Sequence, residues 1–194
     1  MFNLSSLLLY MTVTMFTPGP NNLTMMYLAA RGGLPETRRF FAGSAVSLLV
    51  KCLLCGWLNV LLASRIPLLV GYLKWLGAGY MLYLAYMMGR SGWREEGEGR
   101  ERGNTFGAGV ILQILNMKSW ISCLSLFAVY VIPVTRSLSV IAGVTVLYFL
   151  FMLAASFSWG FFGSVLRRFV SAYKKPFGLI MAASLVYCAV TAVL

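Results

Sequence analysis

TPGPNNLTMMYLAARGG, residues 17–33, places two prolines, a glycine and two asparagines inside the first apolar run of the chain, which extends from about residue 4 to residue 30. Neither Pro18 nor Pro20 can donate a backbone hydrogen bond, and each ring crowds the preceding helical turn. Gly19 between them can adopt almost any backbone angle. Within lipid, backbone groups released from a helix are tolerated only where they are buried in protein or line a wet cavity. The stretch therefore predicts a helix that is broken at residues 17–22, with the break facing the protein interior.

The composition identifies the environment of that helix. Of the 194 residues, 60% are hydrophobic and only 11% are charged, whereas a soluble domain typically carries about 25% charged residues. A helix needs about 20 residues to cross the hydrocarbon core, and continuous apolar runs disfavour alternating strands. The sequence contains six such runs, at about 4–30, 40–63, 68–88, 106–132, 138–163 and 177–194. We therefore expect an all-α membrane protein with six transmembrane helices, surrounded by the lipid bilayer.

The basic residues sort the loops onto two sides. Eleven of the 16 lysines and arginines lie in the loops after spans 1, 3 and 5, and only Arg65, Lys74 and Arg136 belong to the opposite side. The positive-inside rule makes the three basic loops cytoplasmic and puts both termini outside. The formal net charge of +11 is dispersed between apolar runs and forms no patch on one element, so we expect no nucleic-acid partner.

A charged, glycine-rich segment at about 90–104 divides the chain into two halves. It contains four of the five glutamates, and its composition is typical of a flexible cytoplasmic linker. Repeat one occupies about 1–89 and repeat two about 105–194, with three spans in each. Because three is an odd number, the two halves must cross the membrane in opposite directions. This is the arrangement of inverted-repeat transporters, whose binding sites form near the midplane from interrupted helices in matching positions. We expect one transporter domain.

The broken first span offers two opposite polarities to a ligand. Asn21 or Asn22 can cap the second half-helix, and the amides of its first turn then form a positively polarised anion site. The last carbonyls of the first half-helix, around Thr17, offer the opposite polarity. A zwitterionic amino acid carries both charges at that spacing. The alternative interpretation is a proline kink with a purely structural role.

The matching place in the second half is span 4, where Gln113, Asn116 and Lys118 interrupt an apolar stretch. Gln113 and Asn116 are three residues apart and share a helix face. Intramembrane polar residues usually face the bundle interior or a cavity, although hydrogen bonds between helices would also explain these two. No acid within a span could neutralise Lys118. Lys51, near the centre of span 2, either faces the cavity, where it could couple transport to protons, or marks a misplaced span boundary.

With TPGPNN in span 1 and QxxNxK in span 4, the sequence resembles the LysE/RhtB amino-acid exporter superfamily over essentially its whole length. Two short apolar pieces, residues 53–55 and 186–190, resemble its cysteine/O-acetylserine exporter branch. The resemblance implies efflux of small amino acids across the bacterial plasma (inner) membrane, with protons as the counter-ion. By position it assigns substrate contacts to Thr17, Pro18, Gly19, Pro20, Asn21, Asn22, Gln113, Asn116 and Lys118.

Two departures from the family pattern leave questions open. Met117 stands where many members have a proline, so the sequence does not decide whether span 4 is broken. Many members also carry an aspartate in span 2, and residues 42–47 contain none. The proton carrier is therefore unidentified, and a buried lysine is the candidate.

Other chemistries fit the sequence less well. Cys52 and Cys55 form a C-x-x-C, which indicates either a membrane thiol–disulfide electron shuttle with a reachable thiolate or buried packing residues. The chain has no His and no carboxylate within a span, so we expect no metal site, no cofactor and no enzyme activity. Small residues four apart, Gly43/Ser47 and Ser156/Gly160, predict close helix packing within the monomer and leave open a homodimer contact.

Overall fold

The computed structural model of the chain describes residues 4–61, 66–91 and 105–193. Their regular structure is entirely helical, which confirms the predicted all-α class. The helices are α1 (Leu4–Phe16), α2 (Pro20–Gly32), α3 (Arg38–Leu61), α4 (Ile66–Ser91), α5 (Phe106–Leu115), α6 (Met117–Ser125), α7 (Leu138–Val165), α8 (Arg167–Ala172) and α9 (Lys174–Val193). A 3₁₀ turn at Leu34–Thr37 precedes α3, and a π-helical segment at Leu126–Val131 follows α6. Most of the predicted linker lies outside the described residues, as does Arg65.

The helices coincide with the predicted apolar runs. Within the described ranges, two helical stretches, Leu34–Gly56 and Leu138–Val165, are long and apolar enough to cross a membrane, and a third span is possible if the bent pair Phe106–Leu115 and Met117–Val131 counts as one. Leu4–Phe16 and Lys175–Thr191 are shorter apolar helices. The six-span count, the inverted repeats and the external termini stay predictions.

The two helix breaks, between α1 and α2 and between α5 and α6, lie at the boundary between two apolar clusters. The first cluster contains Leu7 and Met11 of α1 together with Trp120 and Cys123 of α6. The second contains residues of α2 and α5, including Leu23 and Leu112, and residues of α4 and α9. Each broken helix therefore has one half packed in each cluster. The polar breaks lie between the clusters, where they least disturb apolar packing.

Close backbone contacts hold the helices that carry the breaks. A Cβ built on Gly43 of α3 would lie 2.0 Å from the Phe106 carbonyl oxygen, and one on Gly163 of α7 would lie 2.2 Å from the Met26 carbonyl oxygen. Gly160 of α7 packs instead against side chains, since a Cβ there would lie 2.9 Å from Leu34 Cδ1 and 3.1 Å from Met25 Cε. These contacts join α3 to α5 and α7 to α2. They confirm that the small-residue pairs serve helix packing within the monomer.

Candidate functional site

The first break separates α1 from α2 at residues 17–19, within the predicted range 17–22. The prediction that the break faces the interior holds for Gly19, which is buried, but is wrong for Thr17 and Pro18, which are exposed. Gly19 is extended, with φ −165° and ψ 169°, and Pro20 takes the first helical position of α2. The first hydrogen bond of α2 runs from Leu23 N to Gly19 O, at 2.9 Å. The amides of Asn21 and Asn22 precede that bond, and none of the described residues accepts a hydrogen bond from them. The start of α2 therefore presents free donors at its positive end.

The prediction that Asn21 or Asn22 caps α2 is wrong. Gly19 stands at the N-cap, and no side chain bonds to the first turn. Since proline suits the first helical position, Pro20 starts the helix early, and the two asparagines fall inside it. Asn21 accepts from Ser44 Oγ at 2.8 Å and donates to Ser156 Oγ at 3.3 Å.

Asn22 ties the two half-helices together. Its Nδ2 donates to the Met15 carbonyl oxygen at 2.8 Å and to the Thr17 carbonyl oxygen at 3.2 Å. These are carbonyls that the end of α1 leaves without helical partners. Asn22 therefore fixes the geometry of the break by bonding backward to α1.

The second break lies at Asn116, where span 4 bends by 59°. Asn116 is extended, with φ −76° and ψ 96°, and its side chain accepts a hydrogen bond from Ser119 N at 3.3 Å. Asparagine is among the best N-cap residues, so it starts α6 without help from a proline. The structure thus resolves the question that Met117 left open, because the helix predicted as span 4 is interrupted at Asn116.

Lys118 brings the two breaks into contact. Its Nζ donates to Thr17 Oγ1 at 2.8 Å, to the Thr17 carbonyl oxygen at 2.9 Å and to the Pro18 carbonyl oxygen at 3.2 Å. A Cβ on Gly19 would lie 3.1 Å from Lys118 Cδ, so the missing side chain of Gly19 leaves room for the lysine stem. The two sequence elements, 101 positions apart, form one site.

Lys51 lies at the second break and is not among the residues that line the two cavities described below. Its side chain is 2% exposed, and its Nζ donates to the Gln113 carbonyl oxygen and, at 3.2 Å, to Ser119 Oγ. The ammonium also lies 4.8 Å from the centroid of the Trp120 ring, within the range of a cation–π interaction. Each break thus has a lysine from the other half of the chain on its free carbonyls.

Two tryptophans that were not among the predicted site residues complete this capping. Trp159 Nε1 donates to the Phe16 carbonyl oxygen at 3.1 Å, and Trp120 Nε1 donates to the Ile114 carbonyl oxygen at 2.6 Å. An indole N–H inside an apolar span needs a partner, so the two residues carried a usable signal. No comparable sequence signal marks the serines that bond within the site, because serine is common in helix interfaces; these are Ser44, Ser119 and Ser156.

A small cavity of about 40 Å³ lies between the breaks. Gln113 is 3% exposed, and its Nε2 donates to Ser119 Oγ at 3.0 Å. Its Oε1 has no hydrogen-bond partner among the described residues. A buried acceptor without a donor costs about 1–3 kcal/mol, so this oxygen is an unsatisfied acceptor at the second break. The predicted residues that line the cavity are Gly19, Asn21, Asn22, Gln113, Asn116 and Lys118.

A larger cavity of about 400 Å³ adjoins the first. Its walls come from α1, α4, α6 and α9 and include Tyr10, Met81 and Ile121. Gly19, Asn116 and Lys118 line both cavities, and Pro18 and Pro20 line the larger one. All nine predicted substrate residues thus line a cavity or, in the case of Thr17, bond to Lys118.

The C-x-x-C cysteines are sealed in the apolar core. Cys52, Cys55 and Cys123 have no exposed surface, and Cys123 Sγ lies 3.5 Å from Cys52 Sγ. Within the described residues, none of the three forms a disulfide bond. A thiol–disulfide shuttle needs a thiolate that a partner can reach, so this arrangement favours packing.

The chain also resembles known proteins over nearly its whole length. The family model for LysE type translocators matches residues 12–194. Cysteine/O-acetylserine efflux proteins of Escherichia coli (strain K12) and Shigella flexneri are each 32% identical over 187 residues, which cover 96% of this chain and 95% of theirs. No solved structure matches the chain. The protein belongs to the LysE type translocator family and is a multi-pass membrane translocator, not an enzyme.

Proposed function

We propose that the protein is a secondary active exporter of small amino acids in the bacterial plasma (inner) membrane. The observation that carries the proposal is the contact between the two breaks, where Lys118 of α6 bonds to Thr17 and Pro18 beyond the end of α1. Transporters with inverted repeats place their substrates where interrupted helices meet. Six spans in two inverted three-helix repeats, with one repeat moving against the other, would give alternating access.

The polarity of the site suits a zwitterion. The substrate carboxylate would accept from the free amides of Asn21 and Asn22 at the positive end of α2, assisted by Lys118. The substrate ammonium would donate to the carbonyls at the end of α1, around Thr17, and to Gln113 Oε1. Both charged groups of an amino acid would then find partners at the break, with the substrate ammonium taking the place of the Lys118 ammonium at Thr17.

Cysteine and O-acetylserine are the first candidate substrates. Efflux of these two compounds is in the names of relatives that align with nearly the whole chain. Both are small amino acids with neutral side chains. The apolar walls of the larger cavity, such as Met81 and Ile121, are compatible with such a side chain and would not stabilise a charged one.

Proton antiport is the proposed source of energy. The chain has no Asp and no His, and its only glutamate among the described residues, Glu36, lies in the 3₁₀ turn before α3. Lys51 and Lys118 are therefore the candidate proton carriers at the breaks. The proposed exporter is a monomer, since both cavities are lined by residues of one chain; a homodimer is the other proposed assembly.

Efflux of radiolabelled cysteine and O-acetylserine from proteoliposomes tests the proposal. We expect Asn22→Leu and Lys118→Leu to abolish efflux, because each removes a polar group at the break. Thr12→Leu is the matched control, since Thr12 is exposed on α1 and its hydroxyl bonds only within its own helix. Normal efflux in the two site variants, with normal insertion, would remove the site assignment.

A further inference from the structure

The end of α1 forms a cage of three oxygen atoms around an ammonium group. Thr17 O, Thr17 Oγ1 and Pro18 O lie 2.8–3.2 Å from Lys118 Nζ. An ammonium has three N–H donors and no acceptor, so the three oxygens match it in number. The negative end of the α1 macrodipole adds to the attraction. Within the described part of the chain, no carboxylate forms an ion pair with Lys118, and its charge is balanced by these dipoles.

The α-ammonium of an amino acid presents the same three donors and the same charge. We propose that the Thr17–Pro18 cage is a primary-ammonium subsite, that Lys118 fills it as an internal stand-in when no substrate is bound, and that an entering amino acid displaces the lysine. This inference rests on the proposed function. The exchange is balanced in charge, because the substrate ammonium replaces the lysine ammonium, and the displaced lysine pairs with the substrate carboxylate.

The surroundings of Lys118 allow it to leave the cage. Its side chain is only partly buried and lines both the small cavity and the larger one of about 400 Å³. Lys51 differs in each respect, since it is 2% exposed and packs against the Trp120 ring. Lys51 is therefore a fixed cap of the second break, whereas Lys118 is exchangeable. The two lysines give the experiment a matched pair.

The cage also predicts a rule of selectivity. Each methyl group added to the substrate nitrogen removes one N–H donor, while all three cage oxygens stay in place. A hydrogen bond to a charged group contributes about 1.5–3 kcal/mol, so we expect each methyl group to weaken binding about tenfold or more. A trimethylated amino acid, with no donor, cannot displace Lys118.

The direct test empties the cage by substitution of Lys118 and then offers it a small amine. We would measure thermal unfolding of the purified protein in ethylammonium chloride and, at the same ionic strength, in tetramethylammonium chloride, which has no N–H donor. Lys118→Met vacates the cage, so ethylammonium alone should stabilise this variant, because a ligand that binds only the native state raises the unfolding temperature. The unfolding temperatures of the unaltered protein and of Lys51→Met should not rise in ethylammonium, because Lys118 still fills the cage in both. Equal responses to the two salts in Lys118→Met, or the same ethylammonium response in all three proteins, would overturn the proposal.

Two further measurements keep the proposal testable. If Lys118→Met does not insert, the unaltered protein provides the test, through inhibition of its efflux by N-methylated and by trimethylated substrate. If the trimethylated compound inhibits efflux as strongly as the unmethylated substrate does, the cage is refuted. In Lys118→Met, adding Thr17→Val removes one acceptor and should weaken ethylammonium binding about tenfold. The amine test involves no transport, so it separates the two proposals. If ethylammonium stabilises Lys118→Met but the unaltered protein shows no amino-acid efflux, the exporter proposal is rejected and the cage is kept. If the unaltered protein exports amino acids but ethylammonium does not stabilise Lys118→Met, the cage is rejected and the exporter proposal is kept.

Discussion

Replacing Gly109 by alanine should loosen the packing that holds the first break. A Cβ at this position of α5 would lie 2.1 Å from the Phe40 carbonyl oxygen and 2.9 Å from the Ser44 amide nitrogen. Ordinary contacts of a Cβ begin at 3.4 Å, so α3 and α5 must separate by about 1.3 Å, the difference between 3.4 and 2.1 Å. Both obstructing atoms are backbone and cannot rotate away.

The energetic cost can be isolated with a neighbouring glycine. Overpacking of this kind costs about 1–3 kcal/mol, and alanine recovers up to about 1 kcal/mol through helix propensity. Gly107 lies in the same helix, and nothing lies within 4 Å of a Cβ built there. Gly107→Ala therefore has the propensity gain without the clash. The difference between the two variants should be about 1–3 kcal/mol against Gly109→Ala.

Thermal unfolding in detergent and efflux from proteoliposomes provide the measurements. At about 2–4 °C per kcal/mol for a chain of this size, Gly109→Ala should unfold several degrees below Gly107→Ala. Efflux should also fall, because Ser44 moves with α3 and its hydroxyl holds Asn21 Oδ1 at 2.8 Å. Equal unfolding temperatures for the two variants would refute the reasoning about close packing of α3 on α5.

Three further predictions concern the second break, the proton and the thiols. Asn116→Ala removes the N-cap of α6, and Thr105→Ala removes that of α5; each should lower the stability by about 0.5–2 kcal/mol. Only Asn116→Ala should reduce efflux, because only Asn116 lies at a helix break. Equal efflux in the two variants would show that the second break is not needed for transport. Collapsing the proton gradient with an uncoupler should stop uphill efflux, and efflux that continues unchanged would exclude proton antiport. Replacing Cys52 and Cys55 together by alanine should leave efflux nearly unchanged, because both thiols are buried packing groups, whereas abolished function in a folded variant would support an electron shuttle.

The sequence predicts the helices and the break in the first of them well, because the signals are strong and local. Runs of apolar residues fix the helices to within a few positions, and Pro18 and Pro20 leave the first span no continuous helix. The grouping of Gln113, Asn116 and Lys118 with that break followed from the high cost of polar groups within a membrane.

The details within the site depend on three-dimensional contacts that no local pattern encodes. Whether an asparagine caps a helix depends on which residue starts it, and Pro20 moved the start of α2 ahead of Asn21. Asn116 broke span 4 through the side-chain bond to Ser119 N. Lys51 could be placed only once α3 and α5 were packed, since its partner is a carbonyl 62 residues away.

Equilibrium binding of a radiolabelled amino acid to the purified protein tests the central claim most directly. That claim is that two helix breaks, one from each half of the chain, form a single amino-acid site. We predict that Asn22→Leu at the first break and Gln113→Leu at the second each abolish binding of cysteine or O-acetylserine, while Thr12→Leu binds as the unaltered protein does. Retained binding in either break variant, with its fold intact, would contradict the claim.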